Sequence, residues 1–346
     1  MRIAVDAMGG DFAPGAVVEG LTMAVADFPD CEFLLVGKAD RVAFYLEKYG
    51  IANHPRIRQV DAGSVCEMSD HSAVSLRSKK DSSITVCAKL LKNGDVDAMV
   101  TPGHTGATVA ATKVLCRTLP GIDRPGLGAS MPHKTGRFLL MDAGANPDCT
   151  PLNLVQFAVM GRIYAQMLYN LPEPRIGLLS VGGEDVKGSE LTKQTFPMLE
   201  RLPIHFVGNV EADTVFEGCV DVVIADGFTG NVLLKGAEGL GKSTVFWLKR
   251  VLTKNAMRII GATLAHNAFR ELKAIGASDT IGGAPLLGIN GICIIGHGGS
   301  SPVAVRNAIK VAADCVRFHL NDRIVALNQE CAAILENMEK PEKSLF

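Results

Sequence analysis

Three observations predict an α/β protein built on a parallel sheet. Short, wholly apolar runs recur along the chain, helical patterns separate them, and run after run empties into a loop carrying Gly beside Asp, Asn, His, Lys or Thr. A short apolar run bounded by turn residues marks a strand buried on both faces. Alternation of such strands with helices argues right-handed parallel crossovers. With 346 residues the chain can bury a large core, in one or two domains.

Taken in order, Ile3–Val5, Phe33–Val36 and Ile57–Val60 read as strands, with Ala16–Ala26 and Arg41–Lys48 as the helices between them. The first strand empties into Asp6-Ala7-Met8-Gly9-Gly10-Asp11. That turn is not a G-x-G-x-x-G, so a nicotinamide cofactor gains little support. Residues 64–81 are polar, and Arg77, Lys79 and Lys80 form either a solvated helix end or a cluster facing an anion. After a helix near Ile84–Lys92, Ala98–Val100 leads into Thr101-Pro102-Gly103-His104-Thr105-Gly106. Phe138–Met141 leads into Asp142-Ala143-Gly144-Ala145-Asn146, and Ile176–Val181 into the loop Gly182–Glu190 with Glu184, Lys187 and Gly188. Val222–Ala225 stops at Asp226-Gly227. There Thr229-Gly230-Asn231 is expected to form a tight loop before a second apolar run at Val232. Ile292–Ile295 leads into Gly296-His297-Gly298-Gly299-Ser300-Ser301, and Pro302 opens a last helix over Ala304–Glu336.

In a parallel sheet these six loops gather at the strands' carboxyl edge. Gly permits close backbone approach, and the helix that follows offers free N–H groups to an anion. A phosphate is the economical ligand. Lys187, between Asp185 and Gly188, is either a clamp for it or a solvated surface lysine.

Composition narrows the partners. Hydrophobic residues make up 47% and charged ones 21%, as in an ordinary globular chain, and a net charge of −1 recruits no nucleic acid. Nine scattered cysteines without a C-x-x-C read as reduced thiols in a cytoplasm. Met1-Arg2 runs straight into the first strand, so no targeting segment is expected. No apolar run approaches the roughly 18 residues needed to cross a bilayer. The eight His show no zinc spacing and there is no G-x-S-x-G elbow. His104, His297 and Cys149 remain as loop-edge candidates for a base or nucleophile. Gly236–Ser243 matches the P-loop pattern G-x-x-x-x-G-K-S, but the nearest good strand ends too early and the match reads as chance.

Residues 243–277 differ in texture. Val245, Leu248 and Leu252 share one helical face with Lys249, Arg250 and Lys254 off it. Leu264, Ala268, Leu272 and Ile275 form another stripe, with Arg270 and Lys273 off it, and Met257, Arg258, Ile259 and Ile260 lie between. Two basic amphipathic helices with an apolar tip pack on the body or a second subunit, or dock on a membrane surface or an acidic partner.

The segments AVDAMGGD (4–11), LRSKKDSS (76–83), GIDRPGL (121–127), LLMDAGAN (139–146), SVGGEDVKGSELTKQTF (180–196), FVGNVEA (206–212), DVVIADGFTGNVLLK (221–235), IGGAPLLG (281–288) and HGGSSPVAVRNAI (297–309) together resemble the phosphate acyltransferase PlsX family, in that family's order. The resemblance implies a three-layer α/β/α fold similar to phosphotransacetylase and isocitrate-dehydrogenase-like enzymes. It implies a single domain over 1–346, from which 243–277 protrudes as an amphipathic hairpin. It further implies a homodimer that uses neither metal nor nucleotide and makes acyl-phosphate from acyl-carrier-protein thioesters and inorganic phosphate, for a membrane glycerol-phosphate acyltransferase to consume in phosphatidic acid synthesis. Lys187 and Asn231 fall where the family has residues implicated in catalysis. Asp6, Gly9, Gly10, His104, Thr105, Gly106, Asn146, Glu184, Gly188, His297 and Gly298 are the candidates to surround phosphate and thioester. Lys249, Arg250, Lys254, Met257, Arg258, Ile259, Ile260, Arg270 and Lys273 are the candidates to meet carrier protein and a membrane surface on which the protein sits peripherally. Two positions depart from the family: His104 stands where Asn is usual, and Ile281 where Tyr is usual. A CoA-dependent phosphate acetyltransferase, a P-loop NTPase using 236–243 and a non-enzymatic membrane scaffold are the competing readings.

Overall fold

Side chains along a buried strand alternate between two faces, and the core is divided accordingly. In the strand Arg2–Asp6 (β1), Ile3 and Val5 join one apolar cluster and Ala4 the other. In Gly136–Met141 (β7), Leu139 and Met141 join the first, Phe138 and Leu140 the second. The computed structural model describes residues 1–66, 79–276 and 282–339.

A seven-stranded sheet carries, from edge to edge, β3 (Ile57–Asp61), β2 (Glu32–Gly37), β1, β4 (Ala98–Thr101), β12 (Ile292–Ile295), β11 (Ala284–Leu287) and β5 (Gly126–Leu127). The first five run parallel, and β11 is antiparallel to both its neighbours. A five-stranded sheet carries β6 (Ala129–His133), β7, β10 (Val222–Ile224), β8 (Ile176–Leu179) and β9 (Phe206–Val210), parallel except for β6. The sheets meet where Ala143 N–H donates to Leu127 C=O at 2.8 Å and Leu127 N–H donates to Asp142 Oδ1 at 3.0 Å.

One face is covered by α1 (Gly15–Asp27), α2 (Ala39–Lys48), α5 (Pro151–Tyr169), α6 (Glu190–Glu200), α10 (Pro302–Arg317) and α11 (Leu320–Glu339). The other is covered by α3 (Ser83–Asn93), α4 (Thr105–Leu115) and the start of α7 (Gly227–Leu252). Each apolar cluster draws on strands of both sheets, so the fold is the expected three-layer α/β/α.

Three expectations are corrected. Thr229-Gly230-Asn231 is the first turn of α7, not a tight loop, because Asp226 caps the helix by accepting from Thr229 N–H at 2.8 Å. The last helix is two, broken after Phe318 where His319 adopts φ +53°. The basic region holds three helices where the sequence suggests two: the end of α7, then α8 (Ala256–Leu264) and α9 (His266–Gly276). No described helix is long and apolar enough to cross a membrane.

Candidate functional site

The six Gly-bearing loops divide three and three between the sheets. At the carboxyl edge of the seven-stranded sheet the loops after β1, β4 and β12 interlock. Gly10 at φ +89° brings Asp11 N–H to Gly298 C=O at 2.8 Å, and a side chain at Gly10 would strike that same carbonyl oxygen at 2.7 Å. Gly9 backs onto Gly103, and Gly296 N–H donates to Thr101 C=O at 2.8 Å.

Asp6 is the buttress of this group, not a ligand contact. It is fully buried, accepting Thr101 Oγ1–H at 2.6 Å and Met8 N–H at 3.0 Å. Burial pushes its carboxyl above the ordinary range, against hydrogen bonds from Thr101, Ser83, Met8 and Gly9 that pull it down. A carboxyl so enclosed has no face left for an anion.

His104 caps α4. Its Nδ1 accepts from Ala107 N–H at 3.2 Å, which puts the proton of the neutral ring on Nε2. A ring nitrogen thus supplies the cap acceptor that an Asn amide oxygen would offer, and His104 at this position costs the loop no bond. Thr105 and Gly106, half-buried, form the first turn of α4. His297 is exposed, and its Nδ1 accepts from Gly299 N–H at 3.0 Å.

The second group sits on three adjacent parallel strands, β7, β10 and β8. Asp142, which the sequence reading passed over, organises it. Its Oδ1 accepts from Leu127, Gly144 and Ala145 N–H, each at 3.0 Å, and its Oδ2 from Asn146 N–H at 2.7 Å and Asn146 Nδ2 at 2.8 Å. The only sequence signal was an acid closing a buried run before G-A-N. Asn146 is buried, its Nδ2 also reaching Pro125 C=O at 2.6 Å, so it braces the loop and does not face a ligand. Its carbonyl receives Gly227 N–H at 2.8 Å, which seats the start of α7 on this loop.

Asn231, one turn into α7, is exposed, and its side chain lies over Gly144, 3.3 Å from where a Cβ would stand. After β8, Glu184 C=O accepts both Lys187 N–H at 3.0 Å and Asn209 Nδ2 at 2.8 Å. Glu184 and Lys187 are exposed, and the Lys187 ammonium has no partner among the described residues. Gly188 turns at φ +107° ahead of Ser189, which caps α6. A cleft of about 350 Å³ opens beside this group, lined by Pro147, Asp148, Cys149, Leu191, Asp226, Phe228 and Thr229. Burial pushes the Cys149 thiol up to about 11, which disfavours its thiolate at neutral pH.

The structure therefore brings Lys187, Gly188, Glu184, Asn231 and Asn146 to one strand edge, and Asp6, Gly9, Gly10, His104, Thr105, Gly106, His297 and Gly298 to the other. Residues 236–243 form no phosphate loop, because they lie inside α7, where helical bonding consumes the N–H groups that a P-loop needs. Lys249, Arg250, Lys254, Met257, Arg258, Ile259, Ile260 and Arg270 are all exposed along α7–α9. The side chain of Lys273, like Arg77 and Ile281, lies outside the described residues. Among the described residues no three His, Cys, Asp or Glu side chains converge to hold a metal ion.

A family model described as "Fatty acid synthesis protein" matches residues 1–323. A protein of Akkermansia muciniphila named phosphate acyltransferase is 44% identical over 94% of this chain and 95% of its own. One of Elusimicrobium minutum with the same name is 44% identical over 98% and 99%. Among solved structures, a phosphotransacetylase from Streptococcus pyogenes superposes with a TM-score of 0.60 at 16% identity, covering 92% of this chain and 94% of that one. A branched-chain phosphotransacylase from Enterococcus faecalis gives 0.56 at 15%, covering 91% and 99%. These two likenesses establish the fold.

Proposed function

We propose that this chain, which belongs to the phosphate acyltransferase (PlsX) family, transfers a long acyl group from acyl-carrier protein to inorganic phosphate. The observation that carries the reading is the adjacency of β7, β10 and β8, whose ends present Lys187, without a partner among the described residues, and an exposed Asn231 across a loop fixed by Asp142.

The chemistry suits that inventory. A phosphate oxygen attacks the thioester carbonyl, a tetrahedral oxyanion forms, and the C–S bond breaks to give acyl phosphate and the carrier thiolate, which takes a proton from water. Phosphate is already an anion at neutral pH and a thiolate leaves readily, so neither strong base nor strong acid is required. Positioning and oxyanion stabilisation remain. In this reading Lys187 holds phosphate with neighbouring backbone N–H groups, and Asn231 donates to the carbonyl oxygen as its charge develops. His104 and His297 line the opposite loops as binding groups.

Carrier protein is acidic, and Lys249, Arg250, Lys254, Arg258 and Arg270 offer it a basic strip. The same region exposes Val245, Phe246, Trp247, Met257, Ile259 and Ile260. So much apolar surface on one stretch supports a second copy of the chain and a peripheral membrane contact as its covers. The product would then pass to a membrane glycerol-phosphate acyltransferase for phosphatidic acid synthesis. A CoA-dependent acetyltransfer is separated from this reading by comparing acyl-carrier and acyl-CoA thioesters. The test of the assignment is thiol release from long-chain acyl-carrier protein by Lys187→Ala, where loss of on the order of 10²–10³ in turnover is expected. Near-normal acyl-phosphate formation would sink the role of Lys187.

A further inference from the structure

The reaction proposed above brings two phosphate groups to the enzyme: the nucleophile, and the phosphodiester of the phosphopantetheine arm that holds the acyl group on the carrier. Lys187 accounts for the first. A second cleft, of about 380 Å³, lies at the carboxyl edge of the seven-stranded sheet, where the ends of β1, β2 and β3 open together. It is lined by Met8, Gly10, Ala13, Lys38, Arg41, Gly63, Ser64, Val65 and Lys79. Three of these are cations and none is a carboxylate.

Two neighbouring acids among the described residues are already engaged. Asp61 Oδ1 accepts from Ala39 N–H at 3.0 Å, and Asp81 Oδ1 accepts from Ser64 Oγ at 2.7 Å. Asp40, in the first turn of α2, is exposed and does not line the cleft. Lys79 is held in place by donating its Nζ to Val65 C=O at 2.9 Å, so its charge is fixed at the wall. Lys38 and Arg41 are exposed with no side-chain partner among the described residues. The Lys38 side chain makes no capping bond to α2, whose first N–H is taken by Asp61. Gly10, on the cleft wall, is the residue that packs on Gly298, so the cleft adjoins the interlocked loops of the first site group.

We propose that this cleft binds the phosphodiester of the carrier's phosphopantetheine arm, with Lys38 and Arg41 as its cationic contacts and Lys79 fixing the wall behind them. The inference rests on the acyl-carrier reading above. Two open cations on a solvated wall suit a singly charged diester that must arrive and leave each turnover, since exposed charge pairs hold weakly.

The experiment compares two small thioesters, acyl-phosphopantetheine and acyl-pantetheine, which differ by that phosphate alone. The wild type is expected to prefer the phosphorylated thioester in kcat/KM. In the double variant K38Q/R41Q that preference falls by about tenfold or more, the worth of one or two charge-assisted hydrogen bonds. The single variant Arg41→Lys keeps most of it. A rise in KM for inorganic phosphate with both thioesters, and no change in preference, would overturn the assignment and make the cleft the nucleophile's site. No change in either quantity would overturn it outright. If the wild type released thiol from no thioester, the acyl-carrier reading itself would fail. Calorimetric binding of phosphopantetheine against pantetheine by wild type and K38Q/R41Q would still decide whether the cleft reads the phosphate.

Discussion

Gly230→Ala tests how tightly the proposed catalytic geometry depends on backbone packing. A Cβ at this position would lie 2.0 Å from the Asp142 carbonyl oxygen, where real contacts stay beyond 3.0 Å. The obstacle is backbone, and Asp142 is itself held by five N–H donors, so the amino end of α7 must yield. It must retreat by at least about 1 Å, the difference between those distances, and Asn231 moves with it. A displacement of that size at a reacting centre costs on the order of 10² in rate. Stability should change far less. Ala gains up to about 1 kcal/mol over Gly in a helix, while overpacking costs about 1–3 kcal/mol, a net loss of roughly 0–2 kcal/mol. Urea unfolding and phosphate-dependent thiol release measured on the same preparation separate the two effects. A variant with a near-wild-type rate would refute the claim that α7's seat on Asp142 sets the position of Asn231.

Other perturbations follow from the same contacts. Arg175 forks onto Asp221, at 2.9 Å and 3.0 Å, at the ends of β8 and β10 remote from the site. Burial pushes the Asp221 carboxyl up, and the bonds and charge of Arg175 more than offset it, leaving it below the ordinary 3.8. A depressed carboxyl stabilises above its unfolded pKa and loses that contribution as pH falls through the folded one. Asp221→Asn should therefore lose about 1–2 kcal/mol at neutral pH, a deficit that begins to shrink near pH 3.8 and closes as pH falls through the lower folded value. Its kcat should match the wild type, and a deficit that persists in acid would contradict the pairing. His104→Ala should lose about 1 kcal/mol of stability with its cap, and His104→Asn should recover it; an Asn variant as weak as Ala would show that the ring does more than cap. KM for acyl-carrier protein should rise steeply with salt if the basic strip on α7–α9 receives the carrier, and a salt-insensitive KM would argue against that surface.

Strands were legible wherever both faces and both edges are covered. β10 lies between β7 and β8, so Val222–Ile224 are all buried and spell a continuous apolar run. Antiparallel strands were not legible. β6 is an edge strand with Pro132 in it, and β11 contains Pro285, residues that argue against a strand when only the sequence is seen. The division into two sheets hangs on Gly126–Leu127, a strand too short to leave a pattern. The start of α7 read as a loop because Gly227 and Gly230 are poor helix formers, whereas tertiary contact with Asn146 and Asp142 demands them. The break at His319 carries neither Gly nor Pro. As candidates, Lys187 was legible in its loop and, with Asn231, through the resemblance. Asp142, Lys38 and Arg41 were not, because a carboxylate bonding to backbone and a cleft walled by three strand ends exist only once the chain is folded.

The central claim is that inorganic phosphate is the nucleophile on a carrier-bound thioester. The most direct measurement is the initial rate of thiol release from long-chain acyl-carrier protein with and without inorganic phosphate, with acyl phosphate recovered as product. Release that requires phosphate and yields acyl phosphate in equal amount to thiol is the predicted result. Equal release without phosphate, with free fatty acid as product, would contradict it.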